Sequence, residues 1–278
     1  METELDTGRH DFAAKWYLNG FPKSGLHLAT LMMRPVAKPL ADEGLFNRPW
    51  AGTFQDNSWT ARWVPPEKVL YKISRLTDGH FLKGHCAYVP AVERFLWYAG
   101  ISHVFIYRDL RDVAVSQSYH VISEEDDRMS HPDKALYRAM DSHEDVLKAV
   151  VGGYRQYPGV LDRWATYVEW MNVGWTLRVR FEDLRERPYE AAARILRYGL
   201  GRVAPIFECQ LKVVQEVFDL CVEAMVQAGA DTAKSPTFRK GTVGQWREEF
   251  TPEIKALFKD CDRENWLVKL GYERDSDW

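Results

Sequence analysis

The sequence lacks an excess of either charge. Thirty-seven Lys and Arg residues face 40 Asp and Glu, a net charge of −3. No global basic field therefore recruits nucleic acid or an acidic membrane, and any bound anion must be held by local charge. Cysteine is scarce: Cys86, Cys209, Cys221 and Cys261 are scattered, with no CxxC pair and no histidine at zinc-ligand spacing. That pattern predicts reduced thiols and no metal site. Long apolar runs are missing too. The best candidate, Leu26 to Met33, stops at Arg34 and Pro35, well short of the ~18 residues a membrane helix needs. The first ten residues are polar and acidic, without the basic start and apolar stretch of a signal peptide. The expectation is a soluble, cytoplasmic protein with no nucleic-acid or membrane partner.

The composition that is present is ordinary for a globular chain: 46% apolar, 28% charged, with 18 Gly and 13 Pro among 278 residues. This excludes disordered, collagen-like and small disulfide-framework classes. No repeat or low-complexity linker divides the chain, so residues 1–278 read as one domain. Buried-strand patterns occur at Lys15–Gly20, Ile101–Tyr107 and Thr176–Phe181, each followed by a helical pattern. Further amphipathic helices are expected near 154–171 and 206–228. Apolar strands alternating with helices predict an α/β fold, a mostly parallel central sheet flanked by helices. Ligands in such sheets bind at the carboxyl ends of the strands. Residues 38–68 show no clear periodicity and predict a long irregular excursion. The acidic run Ser123–Asp127 predicts a loop.

Three elements suit an anion. The turn Phe21-Pro22-Lys23-Ser24-Gly25 joins a strand to the helix beginning at Leu26, a P-loop-like arrangement whose free backbone N–H groups suit a phosphate. It is not a Walker A turn, because Lys23 precedes Ser24-Gly25 and no glycine stands five residues earlier. Arg108 closes the second strand, and Ser116, eight residues on, lies about two helical turns away. Asp112, just inside that helix, reads as a capping residue. The third element is Phe238-Arg239-Lys240-Gly241, with adjacent cations and a glycine whose backbone can close over an anion. Three such elements in a chain of negative net charge suggest a ligand with two separated phosphate groups.

These segments resemble the cytosolic-type sulfotransferases, which use 3′-phosphoadenosine 5′-phosphosulfate as sulfuryl donor. Pro22-Lys23-Ser24-Gly25 is similar to the family's PKSG turn, and Arg108 to Ser116 to its 3′-phosphate element. Arg239-Lys240-Gly241, continuing through Gly244, Trp246 and Phe250-Thr251, resembles its R-K-G-x-x-G-x-W segment. Arg180-Phe181-Glu182-Asp183-Leu184 is similar to the stretch beside the adenine. The matches run in family order from residue 21 to 251. The resemblance implies donor contacts at Pro22, Lys23, Ser24, Gly25, Leu26, His27, Arg108, Ser116, Phe181, Phe238, Arg239, Lys240 and Gly241. It implies adenosine 3′,5′-bisphosphate as product and no metal.

The family's catalytic segment is similar to Phe81–Pro90, which sets Lys83 and His85 at the matching positions. The resemblance implies His85 as general base, with Lys23 and Lys83 stabilising charge on the transferring group. The acceptor is expected to be a small molecule offering a hydroxyl, less readily an amine. Trp50, Phe54, Trp59, Tyr88 and His120 are candidate lining residues. Two alternatives stay open: a P-loop kinase, which would need a carboxylate such as Asp109 or Asp183 after a buried strand, and a non-catalytic bisphosphate-binding relative. The chain departs from the family where Leu26-His27-Leu28 replaces Thr-Thr-Trp, where Phe181 replaces Tyr, and in the C-terminal dimer segment, so the oligomeric state is left open.

Overall fold

The computed structural model describes residues 14–39, 66–123, 134–155, 157–201, 211–231 and 241–278. Trp50, Phe54, Trp59, Phe238, Arg239, Lys240 and the acidic run at 124–127 lie outside the described residues. The strands are β1 Trp16–Gly20, β2 Lys38–Pro39, β3 His80–Gly84, β4 Ser102–Tyr107 and β5 Leu177–Arg180. The helices are α1 Leu26–Met33, α2 Pro66–Ser74, α3 Pro90–Tyr98, α4 Leu110–Ile122, α5 Lys134–Arg138, α6 His143–Gly152 and α7 Val160–Ala165. They continue with α8 Phe181–Glu186, α9 Pro188–Gly201, α10 Leu211–Ala230, α11 Trp246–Glu249, α12 Pro252–Cys261 and α13 Trp266–Lys269.

The five strands form one sheet in the order β2-β3-β1-β4-β5, and each described pairing is parallel. β1 is central and buried along its whole length, with side chains alternating between two cores. Trp16 and Leu18 meet Val104, Ile106 and Val179 on the face covered by α1, α9 and α10. Tyr17 and Phe105 meet Trp164, Tyr167 and Trp170 on the other face. A side chain at Gly199 would collide with the Trp16 indole, so the missing Cβ lets α9 lie close against the sheet.

The α/β class and three of the strands follow the sequence reading. β3 does not: its Lys and Gly hid a strand that pairs with β1 from Phe81 to Gly84 and with β2 at His80 and Phe81. The helix expected over 154–171 is instead the short α7 and a 3₁₀ turn at Val168–Met171, broken at Thr166 and Tyr167. Of the 38–68 excursion, Lys38–Pro39 is strand and residue 66 opens α2. Among the described residues no helix is long and apolar enough to cross a membrane.

Candidate active site

The register aligns the carboxyl ends of β1, β3, β4 and β5, since Asn19 pairs with Gly84, Gly20 with Ile106 and Tyr107 with Arg180. The predicted elements leave the sheet at this edge. After Gly20 the chain turns sharply: the Phe21 amide donates to the Ile106 carbonyl at 3.1 Å, and the Ser24 amide to the Phe21 carbonyl at 3.1 Å. Lys23 sits at φ 67 and Gly25 at φ 93, so two residues adopt left-handed backbone to make the turn. Gly25 caps α1 without any side-chain hydrogen bond, leaving that helix's first N–H groups for a ligand. Pro22, Ser24 and Leu26 are buried, while Lys23 and His27 are half-buried.

Ser24 Oγ and Arg108 Nε are among the buried side-chain polar atoms that have no hydrogen-bond partner among the described residues. Buried polar groups are nearly always satisfied, and both lie on predicted anion-binding elements. A phosphate-bearing ligand fits this donor set.

Phe181 joins those two elements. Its ring occupies the space that a Cβ on Gly25 would need, and the Arg108 guanidinium stands 4.2 Å above the ring centroid. The ring is buried, so it braces the turn against the arginine. Arg108 Nη2 also donates to the Thr242 carbonyl at 2.8 Å, next to Gly241, which has φ 58. The second element and the described end of the third therefore touch.

Asp112 corrects the simple capping expectation. Asp109 caps α4 by accepting from the Arg111 amide at 2.9 Å. Asp112 instead accepts from the Gly244 amide at 2.8 Å, the Trp246 amide at 3.0 Å and Arg108 Nη2 at 3.2 Å. It holds the third element to the second across more than 130 residues, a partner that helix position cannot reveal. Asp109 also accepts from Arg111 Nε and Nη2, and Asp183 pairs with Arg187, so both kinase-type carboxylates are engaged. Ser116 and His120 are half-buried on α4.

The segment after β3 has no regular structure, yet its backbone is firmly tied. Asn19 Nδ2 donates to the Cys86 carbonyl at 3.0 Å, and Asn19 Oδ1 accepts from the Cys86 amide at 2.8 Å. Trp170 Nε1 donates to the same carbonyl, and Tyr167 Oη to that of His85 at 3.3 Å. His85 Nδ1 lies 2.7 Å from the Gly20 carbonyl oxygen. A carbonyl only accepts, so Nδ1 carries the proton and Nε2 keeps its lone pair. Tyr88 turns its hydroxyl to Glu93 at 2.5 Å and packs roughly perpendicular to the Trp170 ring, so any surface it offers an acceptor is the ring. Sequence reasoning missed Asn19, although one carboxamide in an otherwise apolar strand was a visible signal.

Residues 18–266 match the sulfotransferase domain family. The chain belongs to the sulfotransferase family. Mouse sulfotransferase SULT7A1, solved in complex with PAP, is 17% identical, with a TM-score of 0.58 over 93% of this chain and 87% of that one. Retinol dehydratase, solved with androsterone and the inactive cofactor PAP, is 16% identical, with a TM-score of 0.50 over 90% and 80%. At these identities the likeness is one of fold. A search of curated proteins found no match.

In this sulfotransferase-family chain the site is strongly cationic. Burial pushes His85 down to about 4, against the opposing pull of the Gly20 carbonyl, and Lys23, Lys83 and Arg163 press it further. His27 is lowered to about 3 by burial and by the charges of Lys83 and Lys23. The structure thus sets His27 within the field of the same two lysines, a placement that the sequence left open. His103, buried against Trp170 and Tyr17, is held near 3 by burial. All three are neutral near pH 7. Their stabilising contribution is present above about pH 6.5 and is lost as the pH falls toward their folded values, because the unfolded chain binds protons that the native one refuses. Acid unfolding near pH 5 should take up roughly three protons from these groups, each steepening the loss by about 1.4 kcal/mol per pH unit. Thermal midpoints measured from pH 7 to 4 check this, and substituting His103 by glutamine should flatten the slope.

Proposed function

We propose that this chain transfers a sulfuryl group from 3′-phosphoadenosine 5′-phosphosulfate to a hydroxyl of a small-molecule acceptor, with His85 as general base. The observation that carries the reading is the His85 Nδ1 bond to the Gly20 carbonyl, the last residue before the phosphate-type turn. It joins a proton acceptor of defined tautomer to the anion-binding element. The solved relatives' complexes with PAP support the choice of donor.

Ser24, Gly25 and the start of α1 would hold the 5′ side of the donor, and Arg108 with the segment from Gly241 the 3′ side. The donor supplies the activated sulfuryl group. His85 Nε2 takes the acceptor's hydroxyl proton, which gives a poor nucleophile the electron density to attack. Lys23 and Lys83 offset negative charge that builds during transfer, as cations do in phosphoryl transfer. Negative charge placed between these lysines also counters their field at His85. Donor binding therefore raises the imidazole's proton affinity when a base is needed.

Calorimetric titration with adenosine 3′,5′-bisphosphate should show one-to-one binding without any metal, weakened at least tenfold by Arg108→Ala. A product assay with phenols, alcohols, amines and sugars then identifies the acceptor class. Tight, magnesium-dependent ATP binding with no response to the bisphosphate would instead favour a kinase. Bisphosphate binding with no sulfated product across the panel would favour a non-catalytic binder.

A further inference from the structure

We propose that Asn19 is the positioning residue of the catalytic segment, fixing the tautomer and placement of His85; this rests on His85 being the base. β1 runs beside both β3 and β4, but its last backbone bond goes to one side only, where the Phe21 amide donates to the Ile106 carbonyl of β4. β3 ends at Gly84, opposite Asn19, and residues 85 and 86 continue past it without a strand partner. The Asn19 side chain bridges that gap. Its Oδ1 accepts from the Cys86 and Gly20 amides at 2.8 and 2.9 Å, while its Nδ2 donates to the Cys86 carbonyl at 3.0 Å. The carboxamide imitates the next peptide unit of β1, donating and accepting at once. Among short side chains only asparagine offers both functions on one planar group.

The consequence reaches the imidazole. Asn19 clamps the residue after His85 and the amide of Gly20, whose carbonyl takes the Nδ1 proton. Both ends of the His85 bond are thus set by one buried side chain, which is 0% exposed. Trp170, Tyr167 and the Thr166 carbonyl tie residues 85–88 to the opposite side. Those contacts hold the segment to the helical layer, and Asn19 links it to the phosphate-type turn. Loosening that link leaves His85 bound to the fold but free to shift against Gly20. Misplacement of about 1 Å at a reacting group costs on the order of 10²-fold.

The test compares Asn19→Ala, Asn19→Asp and His85→Ala by steady-state turnover, bisphosphate calorimetry and ¹⁵N shifts of the histidine rings. The wild type should show His85 protonated at Nδ1. Asn19→Ala should lose roughly tenfold to 10²-fold in kcat with bisphosphate affinity within about threefold, and the single tautomer should give way to a mixture. Aspartate keeps both accepted bonds and sets its second oxygen against the Cys86 carbonyl, so melting temperature and bisphosphate binding first show that each variant is folded. Its carboxylate opposes the fields of Lys23, Lys83 and Arg163, so the acid limb of activity should move to higher pH. A merely structural role would lower the melting temperature and leave the single Nδ1-protonated tautomer of His85 in place in Asn19→Ala. Wild-type turnover in Asn19→Ala beside an inactive His85→Ala overturns the role of Asn19 and spares the base. Full activity in His85→Ala removes both.

Discussion

Replacing His85 with alanine should reduce turnover by about 10²–10⁴-fold, some 3–5 kcal/mol of barrier, while bisphosphate affinity stays within about threefold. The separation follows from where the ring is anchored. The imidazole bonds to the Gly20 carbonyl, and the backbone of residues 85 and 86 is held by Asn19, Tyr167 and Trp170. Removing the imidazole therefore leaves the segment in place and the proposed anion-binding elements untouched. The pH dependence offers an independent check. Because the free site holds His85 near 4, the acid limb of kcat/KM measured with free enzyme should lie well below the ordinary imidazole value. The limb of kcat should lie higher, since donor charge beside Lys23 and Lys83 raises the base. Near-normal turnover in His85→Ala would remove it from the chemistry whatever the limbs show.

Substituting Gly25 by alanine should strongly damage donor binding. At φ 93 an L-residue is strained by roughly 1–2 kcal/mol, and the added Cβ collides with the Phe181 ring. Moving that ring also disturbs its contact with the Arg108 guanidinium, a cation–π interaction of about 0.5–2 kcal/mol. Bisphosphate affinity should fall at least tenfold, and the melting temperature by several degrees. Adding Phe181→Ala removes the collision but not the backbone strain. The double variant should then be less impaired than the two single effects combined, because both residues act through one contact. Strict additivity in that cycle, or wild-type affinity in Gly25→Ala, contradicts the bracing role given to Phe181.

Short stretches whose chemistry depends on local spacing were the most legible. The turn at residues 21–25 needs a left-handed glycine before a helix, and its sequence shows one. Arg108 ends an apolar run, and a charge there must lie at a strand end. Other features depended on which strands become neighbours. β3, with Lys83 and Gly84 in its alternation, looks half-polar, and only its pairing with β1 and β2 makes it a strand. Asp112 occupies an ordinary first-turn position, and only packing shows that its oxygens serve Gly244 and Trp246. His27 gave no local sign of its surroundings, which are set by lysines on two different segments.

Composition and spacing by themselves were enough for the α/β class and for locating glycine- and cation-bearing turns at its strand ends, because periodicity, glycine and charge act over a few residues. Tertiary structure alone decided the tautomer of His85, the bracing of Gly25 by Phe181 and the bridge made by Asn19. Each of these depends on parallel register, which brings together backbone groups 65 or more residues apart, and no local preference encodes such a pairing.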